Sequence, residues 1–276
     1  MQYDSQEQNA MILPIPTVKN ASEDSVKFFN FEAYPNFFQD LARSFPMLSP
    51  PPMASRADSK LVPNEKPLQV HKVGNFVASV VPSVDDFRRL DPLFSIAPDV
   101  WAKIPVYSDY SFVVFKFDEL AGKPHPMAFE FKTRHENQIF FPTVHIHDGE
   151  VHAEEHFDHA LYCQDQKLDA VVGRYTEKPD PATQWTRSQQ AASKTVKIAK
   201  SHDVVDGDLL LHRKIIQGNW PNQDVFVSTS TRGGKALSAT FNGLHIPSVV
   251  SLGAATSALS LAWFIRRRNQ LRKKDH

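Results

Sequence analysis

The sequence contains a single cysteine, Cys163, which excludes an internal disulfide bond. Only ten of the 276 residues are glycine, whereas 41% are hydrophobic. This balance excludes a disordered low-complexity chain and predicts a packed core. The 20 phenylalanines and 20 prolines favour short strands and many turns over long helices.

An excess of charge of one sign is also missing, since the formal net charge is zero. Residues 1–245 carry a net charge of −5 and residues 246–276 a net charge of +5. An acidic body with a basic tail gives no support for nucleic-acid binding, so no nucleic-acid partner is predicted. The first twenty residues lack a basic segment followed by an apolar run, which predicts no cleavable signal peptide.

Sequence motifs of several enzyme classes are absent. The chain has no glycine-rich phosphate loop, no G-x-S-x-G, no C-x-x-C and no H-E-x-x-H. Cys163 and His159 would lie about 13 Å apart on one strand, too far for a nucleophile–base pair. Whether the chain is an enzyme is therefore left open.

The most distinctive stretch that the chain does have is histidine-rich and spans residues 138–164, QIFFPTVHIHDGEVHAEEHFDHALYCQ. Asp148-Gly149 lies between two alternating runs, which predicts a β-hairpin with a type I′ turn. In that register His145 faces His152, and His147 faces Glu150. One face would then carry Thr143, His145, His147, Glu150, His152 and Glu154. The other face would carry Val144, Ile146, Val151, Ala153 and Phe157. His159 would also lie on this second face, away from His145.

The polar face of this hairpin predicts a metal site. Imidazole and carboxylate groups are the usual ligands of Zn²⁺, Fe²⁺ and Mn²⁺. The predicted ligands are His145, His147, His152 and Glu150, with zinc or iron as the metal. The alternative is the ordinary solvated face of an antiparallel hairpin, where His and Glu are common.

The remaining patterns predict an α+β fold, an antiparallel β-sheet meander with a few helices plus one C-terminal transmembrane helix. Strands are predicted at 68–81, 110–117, 127–133, 139–147, 209–216 and 225–228. Short helices are predicted at 37–45, 83–90 and 98–104. One long helix is predicted over residues 180–199, with Asp180 as its N-cap and Pro181 at its first position.

Five regions follow from these patterns. They are an aromatic-rich segment and Pro-rich linker over 1–60, an α+β domain over 61–230, a connector over 231–245, the transmembrane helix over 246–265, and a basic tail over 266–276.

The predicted anchor is the sequence IPSVVSLGAATSALSLAWFI, residues 246–265, which has no charged residue. As a helix it would span about 30 Å, the thickness of a bilayer core. The arginines and lysines that follow predict a single-pass membrane protein, with a buried helix as the alternative. Orientation stays open, because the basic tail favours a cytosolic C-terminus whereas the lack of a signal peptide favours a cytosolic body.

Four motifs of the chain resemble those of an uncharacterised bacterial protein family. They are VPSVDDFRRLDPLF, HPMAFEF, FFPTVHIHDGEVH and FDHALYCQ. The resemblance covers about residues 65–230 and leaves out the predicted anchor. It implies that this domain is a recurring unit, and it implies no activity or ligand.

Two functional hypotheses follow. The first is a membrane-anchored binding or structural module whose ligand, a small molecule or a protein, is open. The second is a metal-dependent enzyme, hydrolytic or oxidative, that uses the histidine-rich hairpin.

Overall fold

The structure, a computed structural model, describes residues 3–4, 10–46, 68, 70–74, 76–90, 98–117, 121–122, 125–146, 150–228 and 261–266. It has an α+β fold with several antiparallel sheets and few helices, which confirms the predicted class. The strands are β1 (Tyr3–Asp4), β2 (Ala10–Ile15), β3 (Val26–Asn30), β4 (Val70–Val73), β5 (Phe76–Val81), β6 (Ser111–Phe117), β7 (Ala121–Gly122), β8 (Met127–Phe131), β9 (Gln138–Phe141), β10 (Glu154–Gln164), β11 (Thr186–Arg187), β12 (His212–Pro221), β13 (Val225–Ser228) and β14 (Leu261–Arg266). The α-helices are α1 (Phe37–Ala42), α2 (Pro98–Lys103) and α3 (Gln166–Val171).

The first four-stranded sheet has the order β2-β6-β5-β4 and is antiparallel throughout. Its central strand β6 is apolar on both faces, because successive side chains point to opposite sides. Phe112 and Val114 pack with Trp101 and Ile104 of the α2 region. Phe115 packs with residues of β2, β3 and β5 on the other face, where the β3–β8 pair covers the sheet. Strands β5 and β6 are thus largely buried on both sides of the sheet.

The second four-stranded sheet has the order β11-β12-β10-β14. β10 pairs antiparallel with β12 over ten residues and parallel with β14. Phe157, Leu161 and Cys163 face one core, which the β9–β13 pair covers. Tyr162 faces a second core built from aromatic residues of the β3–α1 region. Residues 161–164 of β10 are therefore buried on both faces of this sheet.

The predicted hairpin between residues 139–147 and the following strand is wrong. β9 pairs with β13, and β10 pairs with β12 and β14, so the two arms are not ladder partners of each other. The predicted meander of strands 110–117, 127–133 and 139–147 does not form, because β6, β8 and β9 each pair with other strands. The physical reason is that β10 needs apolar cover on both faces, which a two-stranded hairpin with one polar face does not supply.

The predicted long helix over 180–199 is also wrong. Asp180 does cap a turn, because its Oδ1 accepts from the N–H groups of Ala182 and Thr183 at 2.7 and 3.0 Å. Gln184 then has a φ of 63°, which leaves the helical region and ends the turn. Trp185 inserts into the core beside β10, and β11 follows at the edge of the sheet.

At the C-terminus the structure differs from the predicted helix. Leu261–Arg266 form β14, where Ile265 packs on the core of β10 and Phe264 lies edge-on to Phe37 at 5.7 Å. Residues 246–260 lie outside the described residues. Among the helices that the structure describes, none is both long and apolar enough to cross a membrane. Attachment to a membrane stays a prediction.

Candidate functional site

The segment that follows β9 carries His145 and is held by the turn between β12 and β13. The His145 backbone N–H donates to Asn222 Oδ1 at 2.8 Å, and Asn222 Nδ2 donates to the His145 carbonyl at 2.8 Å. The backbone N–H of Asn222 in turn donates to the carbonyl of Ala153 at 2.9 Å. Because the amide supplies both a donor and an acceptor, it replaces a strand partner for His145. The position of this backbone is therefore fixed outside regular secondary structure.

A buried carboxylate in the same turn fixes the two preceding residues. Asp224 Oδ1 accepts from the N–H groups of Thr143 at 2.8 Å and Val144 at 3.3 Å. Burial raises the pKa of Asp224 to about 6, and the hydrogen bonds from Tyr107, Thr143 and Val144 offset part of that rise. The turn thus holds three consecutive backbone N–H groups, those of residues 143–145.

His159 approaches His145 from the sheet that contains β10, which faces the segment after β9. It lies in the middle of β10, between Ile216 of β12 and Leu261 of β14. Strand alternation puts it on the same face as Phe157 and Leu161, which line the core beneath β9 and β13. A histidine at this position points into an apolar core rather than into solvent.

The two imidazoles meet there and form what we call the buried histidine pair, His145 and His159. Their Nε2 atoms lie 3.0 Å apart, and the side chains are 9% and 1% exposed. The rings are tilted by 40° with centroids 4.8 Å apart, and Phe157 stacks on His145 at 4.7 Å. In the neutral form, one Nε2–H donates to the other Nε2. Nε2 of a neutral imidazole is also a common ligand of metal ions.

Of the four predicted ligands, His145 is the one that the structure places in the buried histidine pair. Glu150 is exposed and forms an ion pair with Lys103. His152 is exposed, and His147 lies outside the described residues. Within the described ranges, no cluster of three or more His, Cys, Asp or Glu side chains could hold a metal ion. The role of Glu150, His147 and His152 as ligands stays a prediction.

His159 was missed because the hairpin register assigned it to the face opposite His145. The sequence contained a signal for His159 in the hydrophobic pattern of this strand. Residues 157, 159, 161 and 163 read Phe, His, Leu and Cys, so the histidine occupies an apolar position of an alternating strand. Such a position predicts a buried imidazole that needs a polar partner from another element.

A second group of reactive residue types lies further along the same strands. Cys163 is directly opposite His212, and His212 Nε2 lies 2.7 Å from Asp169 Oδ1 of α3. Cysteine, histidine and aspartate in this order are the types that form a nucleophile, a base and an orienting acid. However, Cys163 and His212 are fully buried, and burial raises the pKa of the thiol well above its usual value. An activated thiol needs a lowered pKa and access to substrate, so this group is structural.

Comparison with known proteins adds no relative to these observations. No protein-family model, no curated protein and no solved structure has significant similarity to the chain.

Proposed function

We propose that this protein binds a divalent transition-metal ion through His145 and His159, and that its α+β domain is a metal-binding module. The observation that carries the proposal is the 3.0 Å separation of two buried Nε2 atoms supplied by different layers of the fold. Metal–nitrogen bonds of about 2.0–2.1 Å hold two ligand nitrogens about 3 Å apart when the angle at the metal is near 90–95°. The separation thus fits two adjacent positions of one coordination sphere.

The surroundings of the pair also suit a metal. The backbone of His145 is fixed by Asn222, and His159 lies in the centre of a four-stranded sheet, so both ligands lie on rigid supports. Imidazole nitrogens suit zinc and iron better than calcium or magnesium, which prefer oxygen. Zinc or iron is therefore the proposed metal.

The remaining coordination positions are open to the ligands that the sequence predicts. Glu150 is held by an ion pair with Lys103 in which both side chains are partly exposed. Ion pairs between exposed side chains are weak in water, so the contact with Lys103 does not prevent the carboxylate from binding a metal. His147 and His152 are the other predicted ligands, and water completes the sphere. A water-filled position on zinc would permit hydrolytic chemistry.

The test is metal analysis of full-length protein that is stripped with a chelator and then loaded with Zn²⁺, or with Fe²⁺ without oxygen. We expect about one bound ion per chain in the wild type and its loss in His145→Ala and in His159→Ala. His156→Ala is the matched control, because His156 is on the same strand and exposed, with its Nδ1 2.9 Å from Asn219 Oδ1. Co²⁺ absorption spectra report the ligand set independently of activity.

Two results would overturn the proposal. One is a wild-type protein that takes up no stoichiometric metal under these conditions. The other is a His159→Ala variant that keeps its metal while His147→Ala and His152→Ala lose it, since that pattern requires the ligand set of the hairpin. Circular dichroism of each variant separates loss of a ligand from loss of the fold.

A further inference from the structure

Three polar side chains form one row across the second sheet, on the face opposite the buried histidine pair. Arg213 of β12 is directly opposite Tyr162 of β10 on one side and Thr186 of β11 on the other. Directly opposed residues of neighbouring strands project from the same face of a sheet. Arg213 therefore lies between Tyr162 and Thr186 on this face of the sheet. All three residues are at least nine-tenths buried.

The charge of Arg213 is incompletely compensated. Its guanidinium carbon lies 4.5 Å from the centre of the Phe45 ring, and it hydrogen-bonds Tyr162. Its Nε is buried without a hydrogen-bond partner, and Arg213 forms no ion pair within the part of the chain that the structure describes. Burial lowers the pKa of the guanidinium, and the Tyr162 contact opposes that effect.

The contacts present do not replace a counter-ion. The desolvation cost of a buried ion exceeds the stabilisation that a single cation–π contact returns. Arg213 keeps one buried N–H group, that of Nε, without a partner, and the planar guanidinium fork is suited to bind carboxylate or phosphate oxygens. The two flanking hydroxyls supply further donors to the same group. The row ends at β11, the edge strand of this sheet.

We propose that Arg213, Tyr162 and Thr186 form a binding site for a small oxyanion, a phosphate or a carboxylate group, with Phe45 beneath the guanidinium. This site is independent of the buried histidine pair, because the two lie on opposite faces of the sheet. An anionic group of a small-molecule ligand would supply the negative charge that none of the described side chains places beside Arg213.

The experiment uses full-length protein in phosphate-free buffer, titrated with inorganic phosphate in one arm and acetate in the other. Thermal unfolding and calorimetry measure binding, and sodium chloride at matched ionic strength is the reference. We expect one or both oxyanions to raise the melting temperature above that of the chloride reference, and the arm with the larger rise identifies the group. Arg213→Met should abolish this rise, and Thr186→Val should weaken binding by about fivefold, the equivalent of one hydrogen bond.

Arg187→Met is the matched control, because Arg187 follows Thr186 on β11, pairs with His212 and projects from the other face. It should leave the response to the oxyanion unchanged. The proposal is overturned if neither anion exceeds chloride in the wild type, or if the response survives in Arg213→Met. If Arg213→Met does not fold, the oxyanion affinities of Thr186→Val and Tyr162→Phe are measured instead. Unchanged affinity in both variants rejects the site.

Discussion

The hydroxyl of Tyr107 donates a 2.5 Å hydrogen bond to Oδ2 of Asp224, 117 positions further along the chain. The other oxygen of the same carboxylate accepts from the backbone of Thr143 and Val144. One buried side chain therefore joins the helical turn after α2, the β12–β13 turn and the segment that leads to His145. Its protonation state affects the stability of all three.

Replacing Asp224 by asparagine is expected to remove a pH dependence of stability. Its pKa is raised from 3.8 to about 6 by burial, so the folded state binds a proton more tightly than the unfolded state. The stability that this group contributes is present below pH 4 and is lost as pH rises through about 6, by an amount on the order of 3 kcal/mol. The unfolding free energy of the wild type minus that of Asp224→Asn should fall over this interval in urea titrations. A difference that stays flat or rises with pH would contradict the prediction.

Gly74 turns the chain between β4 and β5 and is predicted to tolerate no side chain. Its φ is +62°, and an added Cβ would lie 2.0 Å from Nε2 of the buried His125 ring. Gly74→Ala should therefore lower the unfolding free energy by about 2–4 kcal/mol, through the clash and the backbone strain together.

Gly218 provides the control for this prediction. Its φ is +92°, but an added Cβ meets nothing within 4 Å, so Gly218→Ala should cost only about 1 kcal/mol. The double variant Gly74→Ala/His125→Ala should be more stable than the sum of the two single changes predicts, because the clash is absent. Strict additivity would mean that the ring of His125 is not the obstacle.

Cys163 is expected to resist thiol reagents in the native protein. The thiol is fully buried, and burial raises its pKa well above the usual value, so little thiolate exists and none is accessible. Labelling with a chromogenic disulfide at pH 8 should be at least about 100-fold slower in buffer than in denaturant, where opening is complete. Rapid native labelling would contradict the structural role assigned to the cysteine.

Truncation of the C-terminal region tests whether it forms a strand of the sheet or a membrane anchor. In the structure, β14 covers the edge of β10 and Phe264 packs on Phe37. A truncation after Leu244 should therefore lower the melting temperature by about 5 °C or more, and Phe264→Ala in the full chain should act in the same direction. A truncation after Arg266 keeps β14 and is the control.

Cell fractionation of the same variants tests the predicted membrane attachment. An anchor at residues 246–265 requires that the full chain sediments with membranes and that the truncation after Leu244 does not. A full chain that remains soluble, with a truncation that is less stable, would reject the anchor and support the strand.

Signals confined to a few residues were sufficient to predict several elements. The alternation of residues 110–117 and 127–133 predicted β6 and β8, and the capped turns at 83–90 and 98–104 correspond to a 3₁₀ helix and α2. Within the first of these turns, the Ser83 hydroxyl donates a 2.8 Å hydrogen bond to the Asp86 carboxylate. These features depend on contacts between near neighbours in the chain, which the sequence specifies directly.

Strand pairing was decided only by the tertiary structure. The pattern of residues 139–147 fits any partner with an apolar face, and Asp148-Gly149 indicates a reversal without fixing which strands meet. β10 pairs instead with strands about 60 and 100 positions later, because only a large sheet buries both of its faces. The sequence determined that a cluster of histidines exists and that His145 belongs to it. The partner of His145 became His159 because the segment after β9 packs face to face on β10, a contact that no strand pairing specifies.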